Sequence, residues 1–232
     1  MIKQFVTTTV LALATLASAQ AGVIVSAQSA QILVGGGSTA AGDITSTYDM
    51  YGLLQDYESG VTDFDSYIAS APLHVWDFSV KEGSTTYYYE WFSASGTTAA
   101  TVSYDLGSVQ QTQGMALWNE DGNGIGKLNI LGSVDGVTWT TLASQLSPTD
   151  HPAVQDYGAD VFSWGNTAAR YIKLEMSSCP SPSTSTWVGC SIGEVAFNVS
   201  PAVSPIPELN SLAMISLGLA MMGVVVARSR RA

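Results

Sequence analysis

Residues 169–176 read ARYIKLEM, and their alternation decides the fold class: Ile172, Leu174 and Met176 fall on one side of an extended chain, Tyr171, Lys173 and Glu175 on the other. The same period of two returns in ATVSYDL (100–106), with Ala100, Val102, Tyr104 and Leu106 opposite Thr101, Ser103 and Asp105. It returns again in GEVAFNV (193–199), through Val195, Phe197 and Val199. A strand that is apolar on one side only needs a second sheet to cover that side. In KLNILGSVDGVTWTTL (127–142), Asp135-Gly136 sits between two strand-like runs and suits the positive φ angles of a tight hairpin turn. One helix is expected in VTDFDSYIAS (61–70), with Thr62 as N-cap, Asp63 and Asp65 in the first turn, Phe64, Tyr67 and Ile68 on one face, and Pro72 beyond its end. The expected class is all-β with one short helix.

Both ends of the chain read as something other than this domain. Residues 1–21 carry Lys3, an apolar run from Phe5 to Leu16 broken only by threonines, and the triplet Ala17-Ser18-Ala19. That is the layout of a secretory signal peptide, with cleavage after Ala19 or Ala21. Residues 200–208, SPAVSPIPE, form a Pro-rich spacer. From Leu212 to Ala227 the only polar side chain is Ser216, which gives roughly 24 Å of helix, short of the ~30 Å hydrocarbon core. Adding residues 209–211 makes it about 28 Å, so the segment spans a bilayer marginally. Arg228, Arg230 and Arg231 would then stay cytoplasmic. A plain single-pass anchor is the simplest reading of that helix.

An exported domain would then cover residues 22–199. From residue 22 to 204 the cations are Lys81, Lys127, Arg170 and Lys173 against 18 acids, a net of −14. Such a surface repels phosphate backbones and anionic head groups, which argues against a nucleic-acid partner. Cys179 and Cys190 bound the loop CPSPSTSTWVGC and predict one disulfide worth about 3 kcal/mol. Two free buried thiols are the alternative.

The tail resembles the PEP-CTERM sorting signal of exported Gram-negative proteins. The residues that carry the resemblance are Pro207-Glu208, the apolar helix and the Arg cluster, within residues 209–232 and the dipeptide before them. Leu209 stands where that family usually has Pro. The resemblance implies recognition and processing by an exosortase-type enzyme, association with exopolysaccharide, and a location in the envelope, at the cell surface or outside the cell. The domain itself resembles the discoidin, or coagulation-factor C, family of galactose-binding-like jelly-roll sandwiches. The matching pieces run in order: Trp91 ahead of a strand ending YDLG, then GSVDGVTW, ARYIKLEM and IGEVAF. Residues 22–90 match less well, with Tyr89-Glu90-Trp91 in place of the family's usual approach to the first Trp. The family implies sugar or lipid-headgroup binding through loops at one end of the barrel. It also implies, in some members, a structural cation near the last strand, where Glu194 stands.

Catalytic signatures are lacking. There is no G-x-S-x-G, H-E-x-x-H or C-x-x-C, and His74 and His151 are the only histidines. Acids beside the expected helix suit its dipole. NEDGNGIG (119–126) has the oxygen-rich composition of a Ca²⁺ loop but not the spacing or closing Glu of an EF-hand, so an ordinary loop is the favoured reading and calcium the alternative. No cofactor is expected beyond such a structural Ca²⁺. For a glycan, the candidate contacts are Trp118, Asn119 and Glu120 after a strand, Trp164 in FSWGNT, and Trp187 in the cysteine loop. Trp91 and Trp139 are expected in the core. The expectation is a non-enzymatic exopolysaccharide-binding or matrix protein. The alternatives are a purely structural surface protein and a carbohydrate-active enzyme with an unrecognised site.

Overall fold

A computed structural model describes residues 22–37, 42–181 and 187–200. The signal-peptide and sorting-tail expectations, residues 1–21 and 201–232, lie outside the described residues. The strands are β1 (Val23–Val25), β2 (Ser29–Val34), β3 (Leu73–His74), β4 (Ser79–Glu82), β5 (Thr85–Tyr88), β6 (Trp91–Phe92), β7 (Ala99–Trp118), β8 (Lys127–Ser133), β9 (Thr140–Leu146), β10 (Tyr157–Gly158), β11 (Asp160–Ser177), β12 (Ser191–Ile192) and β13 (Glu194–Ser200). A 3-10 turn (Ile44–Thr47) and one helix, α1 (Phe64–Ala69), lie between β2 and β3.

Two of these strands are far longer than the rest, and they generate the architecture. The first half of β7 pairs with β2 on one edge and with Tyr171–Ser177 of β11 on the other; β8 and β9 extend that layer. Its second half pairs with β13 and with Asp160–Ala169 of β11; β1 closes that layer's edge. Between the halves β11 breaks register at Ala169/Tyr171, and Gly107 of β7 takes φ +82°, a conformation that side chains disfavour. Arg170, at the break, donates from Nε to Asp105 Oδ1 at 2.8 Å and from its terminal nitrogen to Oδ2 at 2.9 Å, while the Gly107 N–H donates to the same carboxylate. The layers then face each other. Val102, Tyr104, Ile172 and Leu174 from one meet Met115, Leu117, Val195 and Phe197 from the other in a single core, with the Tyr104 and Phe197 rings 5.6 Å apart. This is a two-layer β-sandwich.

The alternation in residues 100–106 and 171–176 is reproduced, because the outer face of that layer meets water. In β13 it is not: Val195, Ala196 and Phe197 are all buried. The outer face of this second layer is covered by α1 and its neighbours. Ile24, Ala116, Trp118 and Ala196 pack there against Leu53, Tyr57, Phe64, Tyr67 and Tyr157.

Three local expectations need correction. The N-cap of α1 is Asp63, whose carboxylate accepts from the Ser66 N–H at 2.8 Å; the Thr62 hydroxyl instead accepts from the Glu58 N–H. The hairpin at Asp135-Gly136 is wider than a tight turn, since residues 134–139 separate β8 from β9. Asp135 Oδ1 accepts from the N–H groups of Val137 and Thr138 there, and these bonds hold its carboxyl down to about 2. Trp139 is half-buried rather than core, with the Lys173 ammonium 4.6 Å from its ring centre.

Cys179 and Cys190 are bonded to each other, with Cα atoms 5.0 Å apart. Cys190 is further held by Ser93, which accepts its N–H and donates its own N–H to the Cys190 carbonyl. The Cys190→Ser protein is expected to lose about 2–4 kcal/mol of stability in chemical denaturation, chiefly through the freed unfolded chain. Unchanged denaturation would show that the bridge does not constrain the chain.

Candidate functional site

The residues singled out for ligand contact go to different places. Trp118 is fully buried. Its indole N–H donates to the Pro72 carbonyl at 3.1 Å and its ring meets Tyr67 edge-on, so it is a core residue and presents no face to a sugar. Asn119 is buried and shapes the loop that follows. Its Oδ1 accepts from the Ile125 N–H at 2.7 Å and its amide donates to the carbonyls of Ile125 and Thr149. Trp164 is half-buried against the main core and donates to Thr112 Oγ1. Trp187 is half-buried, edge-to-face with Phe92 at 5.2 Å.

Glu120 leads to a site that the sequence does not display. It is 5% exposed, and its carboxylate accepts from the N–H groups of Gly122 and Asn123 and from Ser191 Oγ at 2.9 Å. Asp121 beside it, also buried, accepts from the Val154 N–H. Glu90, from the turn before β6, is fully buried, and one of its oxygens accepts from the Tyr157 hydroxyl at 2.6 Å. Ligand atoms of Glu90, Glu120 and Asp121 all lie within 4.8 Å of one another. Burial, with the Glu120 charge next, raises the Glu90 carboxyl well above the usual carboxylate range. Burial, followed by Asp121, pushes Glu120 up to about 7. His74 approaches Glu90 to 3.7 Å; burial pulls its imidazole down to about 4, although its two nitrogens face the Val75 and Tyr89 carbonyls, which favour the protonated form.

Glu194, the position implied for a structural cation, is fully buried. One oxygen accepts from the Met50 N–H and the other has no hydrogen-bond partner. Burial, then Asp49, raises its carboxyl well above the usual range. Among the described residues it belongs to no group of three acid, His or Cys ligand atoms.

Surface chemistry is concentrated elsewhere. Tyr51, Trp76, Phe78 and Tyr87 are 40–47% exposed, far from the usual state of large aromatics. They lie on or beside the β4–β5 hairpin, whose two strands have no further sheet partner, so the hairpin cannot cover its own rings. On it Tyr51 contacts Tyr87 and Tyr89 at 5.7 and 5.3 Å. Phe78 contacts Tyr88 and Phe92, and Phe92 carries the chain of rings on to Trp187. Trp187 is the one expected contact that joins these aromatics.

No family model and no curated protein matches the chain. Among solved structures, one similar chain is chitosan-binding module 1 of a chitosanase/glucanase from Paenibacillus sp. IK-5, at 20% identity over 53% of this chain and 83% of that one, with TM-score 0.37. Another is the CBM32 of AlyQ in complex with 4,5-unsaturated mannuronic acid, at 28% identity over 47% and 75% of the two chains, TM-score 0.35. A family 89 glycoside hydrolase from Clostridium perfringens matches 81% of this chain with 16% of its own, at 19% identity and TM-score 0.44.

Burial separates the two kinds of tryptophan and sets a stability test. Trp118→Ala is expected to cost about 3–5 kcal/mol, as a truncated core aromatic does, whereas Trp76→Ala should leave the melting temperature nearly unchanged. Equal losses in thermal melts would mean that Trp76 is also a packing residue.

Proposed function

We propose that residues 22–199 form a discoidin-like, non-enzymatic carbohydrate-binding domain of an exported envelope or extracellular-matrix protein, with its ligand surface on the aromatic hairpin rather than in the loop after Trp118. The observation that carries this reading is the exposure of Tyr51, Trp76, Phe78 and Tyr87 on or beside one hairpin. Rings turned to water stack on the C–H faces of sugar rings, and neighbouring carboxylates accept from hydroxyl groups. The net charge of −14 over residues 22–204 favours a neutral or basic glycan over a polyanion. Solved structures similar to this chain include modules named for chitosan and pectin, but the reading rests on the exposed rings and not on those likenesses.

The non-enzymatic part of the proposal is supported by the state of the acids. Glu90 and Glu120 are close enough to suggest the ~5 Å pair of a retaining glycosidase, but they are 0% and 5% exposed, which leaves no room for a sugar between them. For the rest of the chain, residues 209–232 are read as an exosortase-type sorting segment that also holds the membrane until processing.

Two experiments test these readings. On a glycan array followed by calorimetry, Trp76→Ala, Phe78→Ala and Tyr87→Ala are each expected to weaken binding by about 1–3 kcal/mol, the range for flat rings stacked on aromatics, with thermal stability kept. Unaltered affinity in all three would remove the hairpin as the ligand surface. Replacing Arg228, Arg230 and Arg231 together with Ser is expected to block processing and release unprocessed protein. Processing and localisation that continue unchanged would eliminate the sorting reading, and a mature protein still ending at Ala232 would indicate a plain anchor.

A further inference from the structure

Glu90, Glu120 and Asp121 are brought together from sequence positions 30 residues apart, beneath the loop of residues 119–126 and away from any Lys or Arg ion pair found among the described residues. Three carboxyl groups that are each at most 5% exposed carry up to three negative charges, and solvent cannot screen them there. Hydrogen bonds account for most of their oxygens. Glu120 has Gly122, Asn123 and Ser191, Asp121 has Val154, and Glu90 has Tyr157 on Oε1. The remaining Glu90 oxygen, Oε2, is buried and has no hydrogen-bond partner. A fully buried carboxylate oxygen left without a hydrogen-bond partner costs folding free energy, and a bound cation would meet it.

We propose that Glu90, Glu120 and Asp121 bind a single Ca²⁺ ion that ties the loop of residues 119–126 to the start of β6. The donor set is all oxygen, which suits a hard cation and not zinc or copper. The burial of the site selects between the hard cations. Mg²⁺ dehydrates reluctantly and keeps several waters, whereas Ca²⁺ accepts a flexible set of protein oxygens. Three carboxyl groups at most 5% exposed, with ligand atoms within 4.8 Å of one another, therefore suit Ca²⁺. Ser191 on β12, bonded to Glu120, and Tyr157 on β10, bonded to Glu90, orient the two glutamates from outside. The ion is thus held by different residues from the one near the last strand, Glu194, that the discoidin resemblance points to. This inference is independent of the glycan reading, since it needs no sugar.

The test uses the full chain, stripped of metal with EGTA, and Ca²⁺ as the probe. Equilibrium dialysis is expected to show one site with a dissociation constant of about 0.1–1 mM, the range of extracellular modules, and Ca²⁺ should raise the melting temperature while equal Mg²⁺ does not. Glu90→Gln keeps an acceptor for Tyr157 and removes one charge. It should melt no lower than the wild type in EGTA yet lose the Ca²⁺ response and bind at least tenfold more weakly. Asp121→Asn should behave alike, and covers the case in which Glu90→Gln fails to fold. Glu194→Gln should keep both binding and response. A wild type that neither binds Ca²⁺ nor shifts, an equal response to Mg²⁺, a Glu90→Gln protein that responds like the wild type, or loss of the response only in Glu194→Gln would each overturn the proposal.

Discussion

The domain depends on two strands that each run through both of its layers. β7 and β11 stay paired to one another from Ala99 and Ser177 at one end to Leu117 and Asp160 at the other. The layers are therefore one ladder that has been bent, and they cannot part without breaking the strands that build them. The bend concentrates three unlike demands at one place: a backbone that tolerates positive φ, at Gly107, a break in register, beside Arg170, and satisfaction of the polar groups exposed by that break, at Asp105. A Lys at position 170 would supply the charge without the two parallel N–H bonds that fix the carboxylate's plane. Because the pairing closes a long stretch of chain, most of the order in this sandwich is non-local, and the core forms only when distant segments meet.

This explains which parts of the fold were readable from the sequence. Residues 100–106 and 171–176 alternate because one side of their layer is wet, and the amino-acid pattern records that directly. In β13 the pattern around Val195 and Phe197 pointed to one buried face, but Ala196 is buried as well, because α1 and Tyr57 cover the other side. Nothing local in GEVAFNV reports a covering segment more than a hundred residues away. The displaced helix cap has a similar cause: Thr62 and Asp63 both suit the position, and what decides between them is that the Thr62 hydroxyl is taken by Glu58. The disulfide was legible because two cysteines admit one pairing.

The candidate sites were less legible, and for a physical reason. The place of Trp118 at a strand end suggests a loop aromatic, yet the carbonyl of Pro72 and the ring of Tyr67 enclose it. Exposure is a property of what packs on a residue, and the sequence around Trp118 is no more apolar than that around Trp76. Glu90 hid in Tyr89-Glu90-Trp91, the place where the chain departs from the discoidin pattern. That departure was the available signal, but in an extended chain the neighbour of a core tryptophan ordinarily faces away from it, so the burial of Glu90 shows only in the folded chain. Its partner Tyr157, and Ser191, which donates to Glu120, come from segments that only the folded chain brings near.

The edge of the second layer has a consequence for how such a domain is carried. β1 and β13 are antiparallel neighbours, with Val23 opposite Val199, so the chain enters and leaves the sandwich side by side. A unit with adjoining ends can be inserted into a loop of a host protein without prising the host apart. Tension applied through those two ends would peel β1 from β13 one rung at a time. The same rupture under load applied along the strands would require several rungs to fail together. The ladder at these ends is thus arranged to open rung by rung rather than to bear load along its length.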